Sequence, residues 1–200
     1  MTLVIATTNP GKLREIAPLL DGVPATLASL SEFHGIPEPV ETGLTFAENA
    51  RLKAIYYADA TGLPCVADDS GLEVAALDRA PGVQSARWYG ADYAVKFRKI
   101  FELLRARGLN GSPARFVCAV ALANHGRVLA ETEGIVNGEI APRPKGTNGF
   151  GYDPIFFYPP LGCTLGELDL EQKASVSHRG QAFIALRQQL LAHPTLLENR

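Results

Sequence analysis

A polar turn near the N-terminus carries the first residues that could bind an anion. It lies between an apolar run that predicts a strand and a run that predicts a helix. Free N–H groups at a helix N-terminus attract phosphate, and Lys12 adds a positive charge. An ordinary helix cap with a solvated lysine is the alternative. The turn consists of Thr7, Thr8, Asn9, Pro10, Gly11 and Lys12.

Two adjacent carboxylates follow a second apolar run, residues 64–67. Alternation along a strand lets only one of Asp68 and Asp69 face a given side, so one can serve a site while the other braces its surroundings. Either carboxylate could bind Mg²⁺ or accept a proton from an attacking water. Ser70 and Gly71 come next, and a structural Asx turn is the alternative for this segment.

Glu41 and Lys53 are two further charged candidates. Thr45 and Glu48 form a capping-box pattern, which predicts a helix that begins directly afterwards. Asn49 and Lys53 are four residues apart and share one face of that helix, so Lys53 could point at a phosphate. Glu41, in the preceding loop, could be a second carboxylate for a metal. The alternative for both is a solvated surface charge.

The C-terminal half of the chain combines aromatic and cationic candidates. An aromatic ring at Phe150 could stack on a base. The guanidinium of Arg179 has the planar fork that reads a carbonyl oxygen or a phosphate. In the alternative, Ser177 caps the last helix, and His178 and Arg179 form its solvated first turn. The candidates are Phe150, Gly151, Tyr152, Asp153, Lys173, His178 and Arg179.

The composition restricts the class of protein that can carry these residues. The chain has 200 residues, of which 46% are hydrophobic and 20% charged, as in an ordinary globular protein. With 19 Lys+Arg and 21 Asp+Glu the net charge is −2, which excludes a generally basic nucleic-acid wrapper. Three cysteines without a C-x-x-C pair argue against a disulfide framework and a zinc knuckle.

Membrane and export signals are weak in this sequence. The longest apolar run, residues 116–123, is far shorter than the roughly 20 residues that a membrane-spanning helix requires. The N-terminal apolar stretch has no basic residue before it and does not resemble a secretory signal. We therefore expect a cytoplasmic protein without a membrane partner.

Alternating strand-like and helix-like segments must position the candidate side chains, which predicts an α/β protein of one domain or of two lobes that share a sheet. The first two strands deliver their C-terminal ends to polar loops. Together the residues predict a magnesium-dependent nucleotide enzyme. The strands are predicted at residues 3–6, 64–67, 115–123 and 128–140, the helices at 13–20, 46–60, 92–108 and 180–191, and a loop at 142–160.

Six blocks of this sequence, in this order, resemble the non-standard purine nucleoside triphosphate pyrophosphatases, the inosine and xanthosine triphosphatase family. The resemblance extends from residue 4 to about residue 190, and it departs from the family only mildly, with Pro18 inside the expected first helix and Val176 in the last block. The blocks are TTNPGK at 7–12, ETGLTFAENA at 41–50, ADDSGL at 67–72, PGVQSAR at 81–87, GFGYDPIF at 149–156 and KASVSHRG at 173–180.

The resemblance implies a fold, an activity and an oligomeric state. The implied fold is an elongated α/β structure of two lobes, with a long mixed β-sheet flanked by helices and a central nucleotide cleft. The implied reaction is the Mg²⁺-dependent hydrolysis of ITP, dITP and XTP to the monophosphate and pyrophosphate, which removes deaminated purines from the nucleotide pool. A homodimer is the implied assembly.

The resemblance also implies a role for each matching residue. Phosphate contacts are assigned to residues 7–12 and to Lys53. Glu41 and Asp69 bind the metal, and Asp69 also accepts the proton from water, with Asp68 as the second catalytic candidate. The remaining substrate contacts are assigned to Ser70, Phe150, Gly151, Tyr152, Asp153, Lys173, His178 and Arg179.

Two other functions stay open at this point. A related nucleotide-sanitising enzyme could act on modified pyrimidines, although stacking of a purine-sized base at Phe150 and the Ser-His-Arg segment argue against it. A binding module could instead sense such nucleotides without hydrolysing them. Asp69 distinguishes an enzyme from such a sensor, because a sensor needs no carboxylate to activate water beside a metal.

Overall fold

A computed structural model describes residues 1–197 of the chain, and within them seven strands form one sheet. The strands are β1 (Thr2–Ile5), β2 (Thr26–Ser29), β3 (Cys65–Val74), β4 (Pro113–Asn124), β5 (Arg127–Ile140), β6 (Phe156–Tyr158) and β7 (Cys163–Thr164). The order across the sheet is β2-β1-β3-β4-β5-β6-β7. The α-helices are α1 (Pro10–Leu19), α2 (Phe46–Thr61), α3 (Tyr93–Ala106), α4 (Leu170–Val176) and α5 (His178–Ala192).

The sheet is mixed in direction. Strand β1 pairs in parallel with β2, Thr2 opposite Thr26, and in parallel with β3, Val4 opposite Cys65. Strands β5, β6 and β7 pair antiparallel, with Ile140 opposite Phe156. The prediction of an α/β fold with a mixed sheet and flanking helices is therefore confirmed.

Capping residues set the starts of the helices that carry charged candidates. Asn9 accepts hydrogen bonds from the N–H groups of Gly11 and Lys12 at the start of α1. At the start of α2 the predicted capping box of Thr45 and Glu48 is present in both directions. These local hydrogen bonds replace the helical partners that the first N–H groups lack, so both starts follow from the sequence.

Strand β3 is longer than the sequence predicted. Asp68 and Asp69 lie inside it rather than in a loop at its end, so the expected polar loop and the Asx turn are both wrong. Extended backbone tolerates these carboxylates because each is buried against cationic side chains, a long-range compensation that local pattern does not reveal. The stretch predicted as loop at 142–160 likewise contains β6, which is stabilised by pairing with β5.

The chain divides into two compact units. The first comprises Met1–Asp69, Cys118–Gly134 and the C-terminal stretch from His178. The second comprises Ser70–Val117 and Ile135–Ser177. Each unit has its own apolar core: Leu3, Ile5, Ile16, Leu122, Phe183 and Leu186 in the first, and Leu72, Ile100, Leu104, Ile155, Phe156 and Leu165 in the second.

The state of the cysteines and the character of the helices relate to what the composition predicts. The cysteines Cys65, Cys118 and Cys163 are all free thiols, and the first two are buried. Among the helices of residues 1–197, none combines the length and apolar character needed to cross a membrane.

Gly134 allows β5 to approach the start of α5 closely. A β-carbon at this position would overlap the carbonyl oxygen of His178 and lie 2.8 Å from the amide nitrogen of Ala182. Gly134→Ala must therefore displace the first turn of α5, and we expect it to lower the free energy of unfolding by about 1–3 kcal/mol. Urea unfolding followed by circular dichroism measures this loss.

Gly111→Ala is the control for this substitution. Its β-carbon would lie 3.2 Å from the carbonyl oxygen of Ile140, a much milder contact. We expect a clearly smaller loss of stability than for Gly134→Ala. Equal losses in the two variants would mean that the close approach at Gly134 is not the cause.

Candidate functional site

Alternation along β3 sends the side chains of Asp68 and Asp69 into different clusters. Asp68 and Asp69 are 3% and 6% exposed, so both carboxylates are removed from bulk water. Asp68 pairs with Lys12 and Arg179, whereas Asp69 pairs with Lys53. The Asp68 cluster and the Asp69 cluster differ in their balance of positive and negative side chains.

The Asp68 cluster consists of Lys12, Glu15, Asp68 and Arg179. The ammonium of Lys12 lies 2.9 Å from Oδ2 of Asp68. The guanidinium of Arg179 lies 2.5 Å from Oε2 of Glu15 and 3.4 Å from Oδ2 of Asp68. Two cations and two carboxylates thus neutralise one another where α1, β3 and α5 meet.

Electrostatics keep Asp68 and Arg179 ionised. Burial raises the pKa of Asp68, but Lys12 and Arg179 outweigh that effect and hold the pKa well below its ordinary value. Burial opposes the charge on Arg179, but the carboxylates of Asp68 and Glu15 outweigh it and raise the pKa of Arg179. Asp68 is therefore a permanent anion that braces three elements of the first unit.

Asp68→Asn is expected to cost stability. The amide removes a negative charge and leaves Lys12 and Arg179 with one buried carboxylate fewer, and breaking such a buried pair typically costs about 3 kcal/mol or more. Urea unfolding measures the free energy of unfolding. Glu131→Gln is the control, because the Glu131–Arg51 pair is exposed, 42% and 47% at the side chains, and should contribute little. A loss no larger than the control's would contradict the bracing role.

The Asp69 cluster consists of Glu41, Asn49, Lys53 and Asp69. The ammonium of Lys53 lies 2.8 Å from Oε1 of Glu41 and 2.9 Å from Oδ1 of Asp69. The side-chain amide of Asn49 donates to Oδ2 of Asp69 at 3.3 Å. Asn49 also accepts from the N–H of Gly43 at 2.8 Å, which ties the loop before α2 to the cluster.

Asp69 has a higher proton affinity than an exposed aspartate. Burial raises its pKa, and Lys53 offsets only part of that effect. Burial would lower the pKa of Lys53, but Asp69, Asp68 and Glu41 outweigh it and raise the pKa instead. A buried carboxylate with raised pKa beside a fixed cation is suited to accept a proton from water.

The donor set of the Asp69 cluster fits a hard divalent cation. Oxygens of Glu41 and Asp69 converge on the single ammonium of Lys53. Residues 1–197 hold no group of three or more His, Cys, Asp or Glu side chains placed for a metal. Mg²⁺ typically binds through one or two carboxylates together with substrate phosphates and water, so two protein oxygens satisfy its usual requirement.

The turn before α1 combines capping with buried charge. Asn9 caps the helix as in the alternative, but the Lys12 side chain is only 16% exposed and its ammonium lies on Asp68. Thr7 accepts a hydrogen bond from the N–H of Asn9, and the hydroxyl of Thr8 donates to Glu38 at 2.6 Å. The turn is thus ordered by its own side chains next to a cation.

A third cluster, the Phe150 cluster, lies in the second unit and consists of Phe150, Asp153 and Lys173. The ammonium of Lys173 lies 2.5 Å from Oδ2 of Asp153, and both side chains are buried. The same oxygen accepts from the N–H of Phe150 at 2.8 Å. The Lys173 ammonium lies 4.9 Å from the centroid of the Phe150 ring, within cation–π range.

The remaining predicted residues fall into both units. Ser70 is half-buried in β3, and Gly151 adopts a positive φ of 68°. Tyr152 is buried, and its hydroxyl donates to the carbonyl of Ser85 at 3.0 Å. His178 and Arg179 begin α5 and are 4% and 2% exposed, so the alternative of a solvated first turn is wrong.

Sequence reasoning missed several partners of these residues. Glu15 pairs with Arg179 across 164 positions of sequence, and nothing local distinguishes it from any helical glutamate. Asn49 was placed on the face of Lys53, but its contact with Asp69 depends on how α2 packs beside β3. The structure groups these residues into three clusters, and the role of each residue in a reaction stays a prediction.

Comparison with known proteins agrees with the blocks seen in the sequence. A sequence model of the Ham1 family matches residues 3–189. The chain belongs to the Ham1 family. The family resemblance drawn from the six blocks is therefore confirmed.

Relatives of this Ham1 chain are similar over almost its whole length. A protein of Geobacter sulfurreducens named "dITP/XTP pyrophosphatase" is 48% identical over 190 residues, 94% of this chain and 96% of that protein. One of Thermus thermophilus with the same name is 49% identical over 188 residues, 93% of this chain and 90% of that protein.

Solved structures agree on the fold of the Ham1 chain. A HAM1 protein from Coxiella burnetii has a TM-score of 0.88 at 42% identity and covers 96% of this chain and 99% of its own. The Ham1 protein of Staphylococcus aureus has a TM-score of 0.85 at 36% identity and covers 96% and 100%.

Proposed function

We propose that this chain hydrolyses the non-standard purine nucleoside triphosphates ITP, dITP and XTP to the monophosphate and pyrophosphate. The class of enzyme, a nucleoside triphosphate pyrophosphatase, rests on relatives at 48% and 49% identity that carry the name "dITP/XTP pyrophosphatase". The observation that supports the chemistry is the buried carboxylate of Asp69, held 2.9 Å from Lys53 beside Glu41.

Phosphate binding is proposed for the first unit. A triphosphate brings about four negative charges, and catalysis of phosphoryl transfer depends mainly on offsetting that charge and on positioning. Lys12 and Lys53 supply two ammonium groups, and the N-terminus of α1 adds the positive end of its dipole. Thr7, Thr8 and Gly11 belong to the same turn and are proposed to contact the phosphates.

The proposed reaction uses Asp69 as the proton acceptor. A water attacks the α-phosphorus and gives its proton to the Asp69 carboxylate, the bond from the α-phosphorus to the α,β-bridging oxygen breaks, and pyrophosphate leaves. Glu41 and Asp69 would hold Mg²⁺, which when bound supplies charge neutralisation at the phosphates. The ammonium of Lys53 pairs with both carboxylates, and Asn49 fixes the second oxygen of Asp69.

Base recognition is proposed for Phe150 together with Lys173 in the second unit, and the role that the resemblance implies for His178 and Arg179 stays a prediction. A 6-oxopurine presents a carbonyl acceptor, and the ammonium of Lys173 has donors only, so the two match. The Phe150 ring offers a face for stacking. Asp153 or a carbonyl of its loop is proposed to accept the N1–H of the base.

A panel assay of pyrophosphate release tests this function. ITP, dITP and XTP are compared with GTP, ATP and a pyrimidine triphosphate, each with Mg²⁺ and with excess chelator. We expect rapid release from the first three with Mg²⁺ and a large loss of rate with chelator. Faster release from the pyrimidine nucleotide would favour the related pyrimidine enzyme, and tight ITP binding without release would favour a sensor.

We also propose that the chain forms the homodimer that its family resemblance implies. Light scattering coupled to gel filtration measures the mass in solution, and about twice the mass of one chain is expected. A monomer at concentrations at which the enzyme is fully active would contradict this assembly.

A further inference from the structure

Lys96 is a cation at a core position of the second unit. On α3 it precedes Ile100 and Leu104 by four and eight residues, so it shares their buried face. Lys96 is 0% exposed, and Ile100 and Leu104 are 0% and 1% exposed. Within residues 1–197 no carboxylate forms an ion pair with its ammonium, and burial lowers the pKa of Lys96. Fully buried lysines are rare unless they are paired.

Backbone carbonyls and aromatic faces surround this ammonium. It donates to the carbonyls of Ser85 at 3.0 Å and Ala86 at 2.7 Å. It lies 4.1 Å from the ring centroid of Tyr93 and 5.8 Å from that of Tyr152. We call these four residues, which surround the Lys96 ammonium, the Lys96 cage. The cage replaces water with fixed dipoles and ring quadrupoles, which is how a buried cation without a counter-ion is compensated.

Stability alone does not account for a lysine in this place. Replacing a buried ion by an apolar residue of similar volume is often neutral or stabilising, because the ion must be desolvated. Leucine or methionine would continue the apolar face that Ile100 and Leu104 begin. Unlike an apolar side chain, the lysine donates hydrogen bonds, and these fix the carbonyls of Ser85 and Ala86 in one orientation.

The cage reaches the Phe150 cluster through Tyr152. The hydroxyl of Tyr152 donates at 3.0 Å to the carbonyl of Ser85, which also accepts from Lys96. Tyr152 stands between Phe150 and Asp153, and Asp153 in turn accepts from the Phe150 N–H and from Lys173. The loop is thus fixed at one point by the Asp153–Lys173 pair and at a second point by the cage.

We propose that Lys96 is a positioning residue for base recognition, which fixes Tyr152 and through it the backbone that presents the ring of Phe150. This inference rests on the proposed function, in which Phe150 stacks on the purine base. Lys96 itself contacts no substrate in this proposal. Its removal should weaken the binding of the base and leave the chemistry at Asp69 intact.

Lys96→Met tests the proposal, since methionine keeps most of the length and none of the hydrogen bonds. We expect the KM for ITP to rise about tenfold with kcat within about threefold, the pattern of lost ground-state binding. The melting temperature should stay close to that of the wild type. Tyr152→Phe removes only the hydroxyl bond to Ser85 and should raise KM in the same direction.

A double variant separates positioning from mere structure. If Lys96 acts through Tyr152, the rise in KM of Lys96→Met/Tyr152→Phe is smaller than the product of the two single effects. Lys99→Met is the matched control on α3, since Lys99 is exposed and pairs with Glu102, and its KM should equal that of the wild type. Inhibition by inorganic pyrophosphate should be equal in all of these variants.

Three results would overturn the inference. One is an unchanged KM in folded Lys96→Met. Another is a loss of kcat and melting temperature at constant KM, which indicates a purely structural lysine. If Lys96→Met does not fold, an unchanged KM in Tyr152→Phe is the third. Failure of the proposed function looks different, because the wild-type chain itself would then release no pyrophosphate from ITP.

Discussion

Asp69→Asn should lower kcat for ITP by roughly 10²-fold or more while the protein stays folded. Asparagine has nearly the same shape and still accepts a hydrogen bond from Lys53, but its amide cannot take a proton from water. The substitution also removes one of the two carboxylates that converge on Lys53. Steady-state kinetics measure kcat, and thermal unfolding checks the fold.

The neighbouring carboxylate provides the contrast for this prediction. Asp68 lies in the same strand at nearly the same depth, but it faces Lys12 and Arg179 and stays ionised. Asp69→Asn should therefore act mainly on turnover, whereas Asp68→Asn should act on the free energy of unfolding. Near-normal kcat in Asp69→Asn would remove this residue from the mechanism. A collapse of stability in the same variant would make Asp69 a structural residue.

Local sequence was sufficient for the parts of this structure that depend on local physics. The capping box of Thr45 and Glu48 predicted the start of α2. The C-terminal end of α1 at Leu19 lies one residue from the predicted end. Alternation along β3 correctly predicted that Asp68 and Asp69 could not serve the same side. Each inference needed only neighbours a few residues away.

Local sequence could not predict which distant residues pair with the buried charges. The segment with Asp68 and Asp69 resembled a polar loop because its neighbours in the sequence do not indicate that Lys12, Arg179 and Lys53 are its partners. The same limit applies to Lys96, because local sequence does not reveal the carbonyls and rings that surround its ammonium. Short strands such as β6 also depend on pairing that local propensity does not contain.

The donor and acceptor pattern of the base should make ATP a very poor substrate. Hypoxanthine and xanthine present a 6-carbonyl acceptor beside an N1–H donor, whereas adenine presents a 6-amino donor beside an N1 acceptor. The ammonium of Lys173 has donors only and would face the amino group of adenine donor to donor. A site that hydrogen-bonds its substrate rejects the wrong pattern by roughly 10³-fold or more, so kcat/KM for ITP should exceed that for ATP by this factor.

Lys173→Met tests whether Lys173 hydrogen-bonds to the base or only neutralises charge. Lys173 lies beside the Phe150 ring, whereas the guanidinium of Arg179 is already bound by Glu15 and Asp68. We expect kcat/KM for ITP to fall by about 10- to 100-fold and that for ATP to change little, because ATP gains nothing from this donor. Glu171→Gln, on the exposed side of α4, should change neither value. If Lys173→Met lowered both values equally, Lys173 would bind phosphate or support the fold, and selection of the 6-carbonyl would have to come from elsewhere in the site.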